Sequence, residues 1–563
     1  MIRRTSRAIL SLALAGAVTA GLTPMTGSAH QTSTTGRARG ASVTPPYAPY
    51  ALPVNIHVGW YDTQGGVNLP KGQTQENNQV LQYVQKRLNV RFTWDFVAPQ
   101  ANNAYDQKVS LVLASGQMPD VMWTNLQEFH KLANTGQLAD LTQVVKQYAS
   151  PYMKSLFAVA SRSMAAATVN GKLLAIPDEQ PDYQYDMLWV RQDWLNKVHM
   201  AAPKTVDQMI AVAKAFVKAK LGGSGTIGLI GPSGSTSLTS YNAMGRFDTI
   251  MQDYGAYQGY YLRKNGRIVY GSVQPEMKTA LTALRRMYQA GVIDPQFVSR
   301  TSADELAQIV SGKSGMFLGP WWAPTYPLNS QIVNDPKADW REYAAPIGPT
   351  GKMEAVGPTP SSAFIVVRKG FAHPEAVMKA LNVDQDGNRG RLTDAAGQKA
   401  FSIIQQNAAL WPNSPLLVQF DYVDIVKRTY DEVEPAVAAH NRSKLAGPNA
   451  ARNDVWYDAI VGLAKHKDHP NQDAADWASA TAFEQGLGQV VHNSGAIHEI
   501  YPLTYYPTPT MLQRQATLQS LEQRTMFGIV TGQQPLSQFD SFAREWHVLG
   551  GDRILQELKQ QVG

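Results

Sequence analysis

Val54-Asn-Ile-His-Val-Gly-Trp60 is followed by Val90-Arg-Phe-Thr-Trp-Asp-Phe96 and then by Pro119-Asp-Val-Met-Trp123. The first run is a short strand ending at a Gly, the second alternates as a strand does, and the third gives a further strand. Between the first two, Val80, Val84 and Leu88 recur at i, i+4 and i+8 and predict a helix beginning near Gln75. Asp106 to Leu113 predicts a second helix, broken at Ser115-Gly116. Strand, helix, strand, helix, strand within about 70 residues is the pattern of an α/β layer with a largely parallel sheet. Ligands of such a layer sit at the carboxyl ends of its strands.

Working outward, the middle of the chain holds helices with clear ends. Thr205 is the predicted cap of a helix carrying Met209, Ala213 and Phe216 on one face. Pro275 opens another, with Met277, Leu281, Leu284 and Tyr288 inward and Gly291 beyond its end. Ser302-Ala-Asp-Glu305 reads as a capping box for a helix through Val310, stopped at Gly312. Gly315 to Gly319 and Ser362 to Val367 read as strands. The last third is mostly helical, with Leu536, Phe539, Phe542 and Trp546 along one face. No internal repeat is present.

The chain has 563 residues, 51 Lys+Arg against 44 Asp+Glu, and no cysteine. That length allows two to four domains at ~150 residues each. The lack of cysteine excludes a disulfide framework, a thiolate zinc site, a cysteine nucleophile and a lipid-bearing cysteine. Arg3, Arg4 and Arg7 precede the apolar run Ala8 to Leu22, and Gly27-Ser28-Ala29 follows. This is the layout of a signal peptide over residues 1–29, cleaved after Ala29. Without those three arginines the formal charge falls from +7 to +4. With no dense basic run either, the sequence gives no argument for nucleic acid. Residues 30–52, rich in Ser, Thr, Gly and Pro, read as a flexible leader.

Motifs for catalysis fail residue by residue. No G-x-S-x-G occurs, and His498-Glu499 lacks the second His of a zincin. Gly312-Lys-Ser314 ends like a phosphate loop, but Ala307 holds the place of the first Gly, which leaves a helix end followed by a strand. Asp384, Asp386 and Asn388 match the first three EF-hand ligands, whereas Arg389 and Ala395 replace the turn Gly and the closing Glu. The acidic run Asp178, Glu179, Asp182 and Asp186 has the residue types of a glycosidase pair or of a solvated loop. No metal and no cofactor are called for.

The placement of aromatics is more telling. Trp60-Tyr61, Trp123, Tyr183 with Tyr185, Trp321-Trp322 and Trp411 stand at strand ends or beside Gly and Pro. Flat rings suit sugars, whose axial C–H groups pack on a π face while Asn, Asp and Gln meet the hydroxyls. Trp94, Trp194 and Trp546 fit a strand or helix period and are assigned to the core. The candidate ligand-binding residues are Trp60, Trp123, Asn125, Asp182, Tyr183, Tyr185, Tyr261, Trp321, Trp322 and Trp411.

Seven segments carry a family resemblance. Leu113-Ala-Ser-Gly-Gln-Met-Pro-Asp-Val121, Asn170-Gly-Lys-Leu-Leu-Ala-Ile-Pro177, Trp189-Val-Arg-Gln-Asp-Trp-Leu195, Gly291-Val-Ile-Asp-Pro295 and Gly315-Met-Phe-Leu-Gly-Pro-Trp-Trp322 resemble the ABC-transporter extracellular solute-binding proteins of family 1. Tyr506-Pro-Thr-Pro-Thr-Met511 and Phe539 to Gly551 (FDSFAREWHVLGG) are similar to its long branch, which includes alginate- and other oligosaccharide-binding lipoproteins. The resemblance runs from about residue 54 to 560. It implies an α/β, two-lobed periplasmic-binding-protein fold of type II-like form, with a helix-rich second lobe and a ligand cleft between lobes. The N-terminal lobe is expected to comprise 53–175 plus about 325–385, and the C-terminal lobe 176–324 plus about 386–563. Trp123 would line the cleft from the first lobe. Asp182, Tyr183 and Tyr185 would reach the ligand from near the hinge, and Trp321 and Trp322 from the other side. Two departures stand out. Lys220-Leu-Gly-Gly-Ser-Gly-Thr226 has no carboxylate where several relatives carry a calcium loop, and no cysteine is available for their lipid anchor.

The expectation is an exported, unanchored, non-catalytic monomer, periplasmic or extracellular, that delivers an oligosaccharide to ABC-transporter permease subunits. The alternatives are a secreted glycan-active hydrolase or lyase using Asp178 to Asp186, and a binding protein for a peptide or other small solute. Few carboxylates means few groups whose protonation unfolds the chain, which points to an acidic exterior.

Overall fold

The computed structural model describes residues 45–62, 70–99, 104–179, 181–183, 185–232, 238, 244–345, 347, 351–357, 359, 361, 363–406, 416, 420–445, 450–465, 470–504 and 507–562. The signal-peptide reading, most of the leader and Trp411 lie outside them. The chain divides into two units, Met1–Glu179 with Ser361–Tyr422, and Gln180–Pro360 with Val423–Gly563. It therefore passes from one unit to the other three times.

In the first unit a five-stranded sheet runs in the order Val90–Pro99, Val54–Asp62, Val121–Thr124, Phe364–Val367, Ala175–Pro177. The three strands read first from the sequence are mutually parallel, with Val58 opposite Val121. Phe364–Val367 enters antiparallel between Val121–Thr124 and Ala175–Pro177. Val54, Ile56, Val58 and Trp60 share the buried parity of their strand. The first helix spans Gln79–Leu88, starting later than expected because Asn78 is its cap, accepting from the N–H groups of Val80 and Leu81 at 3.1 and 3.0 Å. Glu375–Asn388 is buried along nearly its whole length. Asp384, Asp386 and Asn388 thus lie on a helix, and the EF-hand spacing is not a loop. Asp386 instead accepts from Tyr47 Oη at 2.6 Å and pairs with Arg391.

That contact corrects the expected leader. Its last residues dock on the same helix: Asn382 Nδ2 donates to Pro46 O at 3.0 Å, Lys379 Nζ to Ala48 O at 3.0 Å, and Tyr50 Oη to Glu375 at 2.9 Å. The segment thus gives partners to three polar side chains of that helix, two of which also bond elsewhere in the unit: Asn382 to Tyr148 O and Ser150 N, and Glu375 to His373.

The second unit is built on a three-stranded antiparallel sheet, with Met187–Arg191 between Met316–Gly319 and Trp340–Tyr343. Stretch 325–360 belongs here and not, as expected, to the first unit, because Trp340–Tyr343 completes this sheet. Conversely, 386–422 stays with the first unit, where Asp421 pairs with Arg389 at 2.6 Å and Phe420 packs on Phe157. A parallel pair joins Met353–Val356 to Ile497–Ile500. A hairpin joins Tyr261–Lys264 to Arg267–Tyr270 through Asn265-Gly266, both at positive φ as a two-residue turn of this kind requires. Helices supply the rest. Val206–Lys218 begins at Thr205 as expected. Ser302–Val310 has its box one residue earlier than expected: Thr301 is the cap and Asp304 closes it, accepting from Thr301 N at 2.9 Å. Trp194 and Trp546 are core residues, each 1% exposed.

Candidate functional site

The first unit gathers three of the candidate residues at the carboxyl ends of its parallel strands. Register carries Trp60 next to Trp123, since Val58 faces Val121 and Gly59 faces Met122. Tyr105 Oη ties the two strand ends by donating to Trp123 O at 2.8 Å and Gly59 O at 3.3 Å. Trp60 is only 3% exposed, its ring meeting Trp94 edge to face at 4.6 Å, and its Nε1 has no partner among the described residues. Trp94, assigned to the core, is half-buried, so the two tryptophans share one contact from opposite degrees of exposure. Trp123 is half-buried against Tyr105. Asn125 caps the helix Leu126–Asn134 in a full capping box: its Oδ1 accepts from Glu128 N, and Glu128 accepts from Asn125 N, both at 3.0 Å. Burial raises Glu128 to about 7.

In the second unit the antiparallel pairing does the gathering. Gly319 stands opposite Met187, so Tyr185-Asp186 and Pro320-Trp321-Trp322 leave the sheet at the same end. Trp189 Nε1 holds that end by donating to Pro320 O at 3.1 Å. Trp322 packs half-buried on the core of Trp189, Phe317, Trp340 and Trp477. Trp321 is 6% exposed, lies 6.3 Å from the Trp456 ring, and has no partner for Nε1 among the described residues. A ladder continues from Trp456 to Phe483, stacked on Tyr430, whose Oη meets His492 Nε2 at 3.1 Å.

The segment before Met187 adds polar groups. Asp182 N donates to Val423 O at 2.7 Å. Tyr183 holds a positive φ of 65°, and its ring sits 6.1 Å from that of Tyr185. Tyr185 Oη donates to Glu499, and Tyr501 Oη donates to the other oxygen of the same carboxylate. Burial, then the bond to Glu499, pushes the Tyr185 phenol far up. Asp186 sits 3.6 Å from Arg246, which also grips Asp248. Burial raises Asp186 to about 7 against the pull of that guanidinium. Glu342, 1% exposed and opposite Trp189, is pushed well above the usual carboxylate range by the same cause, reinforced by Asp186.

Tyr261 is a core residue whose carbonyl accepts from Leu503 N at 2.8 Å. It is 2% exposed and packs at 4.7 Å on Tyr270, which stacks on Trp546. The acidic run separates. Asp178 accepts from Ser361 Oγ at 2.6 Å and Ala363 N at 2.9 Å, and Glu179 accepts from Ser163 Oγ, all inside the first unit. Asp182 and Asp186 belong to the second. Sequence reasoning missed Glu499, Tyr501, Trp456 and Arg246. Tyr501 beside Pro502 carried the same signal as the aromatics that were singled out; Glu499 and Trp456 sit in an ordinary strand and helix, and Arg246 in the irregular segment before the helix Asp248–Asp253.

The model of the bacterial extracellular solute-binding protein family matches residues 71–383, and the chain belongs to that family. It is 26% identical over 257 residues to lipoprotein LipO of Bacillus subtilis (strain 168), covering 44% of this chain and 47% of that one. It is 23% identical, with the same coverages, to the polygalacturonan/rhamnogalacturonan-binding protein YtcQ of that organism. The chain thus spans about half the length of the curated relatives it matches. Among solved structures, the alginate-binding protein AlgQ2 without calcium ion superposes with a TM-score of 0.57 at 14% identity, over 91% of this chain and 99% of that one. An HMO-binding solute-binding protein from Bifidobacterium longum infantis gives the same score and identity, over 90% and 98%. The chain therefore has the two-lobed periplasmic-binding-protein fold. Among the described residues no helix is long and apolar enough to cross a membrane.

Proposed function

We propose that this chain is an exported receptor that captures an oligosaccharide and hands it to the permease of an ABC importer, without catalysis of its own. The observation that carries the reading is the shared end of the second unit's sheet, where Tyr185 and the Trp321-Trp322 doublet come together by strand register. Trp123, half-buried at its strand end in the first unit, is the proposed contact there, with the buried Trp60 beside it as support. The names of YtcQ and AlgQ2, as binders of pectic polymers and alginate, support a glycan as the solute class. The absence of cysteine supports release from the membrane over anchoring by a lipidated thiol. Against a hydrolase, Asp178 and Glu179 are engaged with Ser361, Ala363 and Ser163.

The test is a thermal-shift screen against oligosaccharides of graded length. A ligand at 100 times its Kd adds ~2.7 kcal/mol and raises the melting temperature. Trp322→Ala, and the double change Trp321→Ala/Trp322→Ala, are expected to remove the shift. Unchanged binding by both variants rejects the site. Product release from a polysaccharide, lost on Asp182→Asn, establishes the enzymatic alternative instead.

A further inference from the structure

We infer that the solute is an uncharged glycan and that Glu499 and Tyr501 of the second unit read its hydroxyl groups, an inference that rests on the oligosaccharide reading above. Tyr501 is a large ring left 43% exposed. It packs against Gly357, where an added Cβ would stand 2.2 Å from the ring, and Gly357 N is itself bonded to Ile500 O at 3.0 Å. The chain thus keeps a glycine where any side chain would collide with this half-wet ring. Beside that ring, Glu499 takes one hydroxyl from Tyr185 and one from Tyr501, one on each carboxylate oxygen. Each oxygen retains a further lone pair. A fixed ring next to a held acceptor fits a sugar, with a C–H face on the ring and a hydroxyl donating to the carboxylate.

The charges around this pair decide the class of sugar. Burial raises the Tyr183 phenol; among the charges acting on it Lys427 pulls it down, and Asp182, Asp424 and Glu499 push it up. Lys427 is bonded to Asp431, Arg428 lies 3.1 Å from Asp424, and Arg246 bridges Asp186 and Asp248. Every one of these bases has a carboxylate already. Recognition of a uronate needs a guanidinium or ammonium aimed at its carboxylate, and like charges set face to face are penalised. This end of the sheet offers acceptors to hydroxyl donors, which separates the chain from relatives named for alginate and polygalacturonan.

The experiment is titration calorimetry on the exported form of the chain with length-matched neutral oligosaccharides (fructo-, xylo-, malto- and manno-series) and with oligogalacturonates and oligomannuronates. Saturable binding of a neutral series, with every uronate weaker by about tenfold or more, is the expected result. Tyr501→Ala and Glu499→Gln are each expected to weaken neutral binding about tenfold, while Tyr501→Phe, which keeps the ring, loses less. Melting of the ligand-free variants checks their fold, and the Tyr501 pair decides the matter if Glu499→Gln does not fold. Uronates binding as tightly as neutral sugars, or Tyr501→Ala binding unchanged, overturns the inference and leaves the oligosaccharide reading standing. Heat from no glycan of either series overturns both.

Discussion

Asn125 shows how one residue answers to two demands. It stands among the candidate ligand-binding residues, and its side chain is spent on a capping box with Glu128. An N-cap is worth ~1 kcal/mol, with a range of about 0.5 to 2. Asn125→Ala is therefore expected to lower unfolding free energy by about that amount in urea, whereas Asn125→Asp keeps the cap and the stability. A ligand affinity that falls in Asn125→Ala but not in Asn125→Asp assigns the effect to the Oδ1 position shared by both. Equal stability of Asn125→Ala and the parent rejects the cap assignment. Trp60 teaches the complementary lesson. Its strand parity, shared with Val54, Ile56 and Val58, already marked it as inward-facing, yet its place beside Tyr61 at a strand end drew attention first. Parity was the stronger physical signal, because a strand cannot turn one side chain without turning its neighbours.

At the scale of elements, the strands and helices that were legible are those whose signal is local. The parallel core of the first unit, the Thr205 cap and the Pro275 start each depend on residues within one turn or one alternation. What remained illegible is pairing at long range: Phe364–Val367 inserts beside Val121–Thr124, about 240 residues earlier in the chain, and nothing in either run encodes the other. The same holds for the helical packing around the tryptophan doublet. Gly486 lies where an added Cβ would stand 2.1 Å from Trp321 O and 2.9 Å from its carbonyl carbon. Backbone cannot swing aside as a side-chain tip can, so Gly486→Ala is expected to cost about 1–3 kcal/mol and to weaken any ligand held by Trp321. Thermal melting and the oligosaccharide titration check the two parts. A second joint is Glu522 on the helix Pro509–Thr531. It accepts from Tyr270 Oη at 2.7 Å, Gln258 Nε2 at 2.9 Å and Ser272 Oγ at 3.0 Å, all buried. Glu522→Ala strands three donors at ~1–3 kcal/mol each, so its loss in chemical denaturation should exceed that of Glu522→Gln, which keeps one acceptor. Equal losses reject the network.

Across the whole molecule the small number of carboxylates noted in the sequence turns out to matter less than where they lie. Burial raises Glu128 to about 7 and Asp253 to about 8, and it also raises Glu342, Glu522, Asp186 and Asp386. A carboxyl whose folded pKa lies above its unfolded value holds a proton that the unfolded chain has already released. The folded state then binds more protons between about pH 4.5 and 8, so stability falls as pH rises through that window. His57, raised by Asp95, works in the same direction. His130, lowered by burial, opposes it. Below about pH 4 the sign reverses, because Asp140, Glu276 and Asp394 are held low by their hydrogen bonds and lose them on protonation. The expected melting temperature is therefore higher near pH 5.5 than near pH 8, with a second decline below about pH 4. Asp253, wholly buried beside Glu354, Tyr257 and His498, dominates the alkaline limb, and Asp253→Asn should flatten it by removing the titrating group at nearly constant shape. Scanning calorimetry from about pH 3.5 to 8.5 on parent and variant measures both. A melting temperature that climbs from pH 5.5 to 8, or a variant with the parent's slope, shows that these buried acids do not keep their protons in the fold.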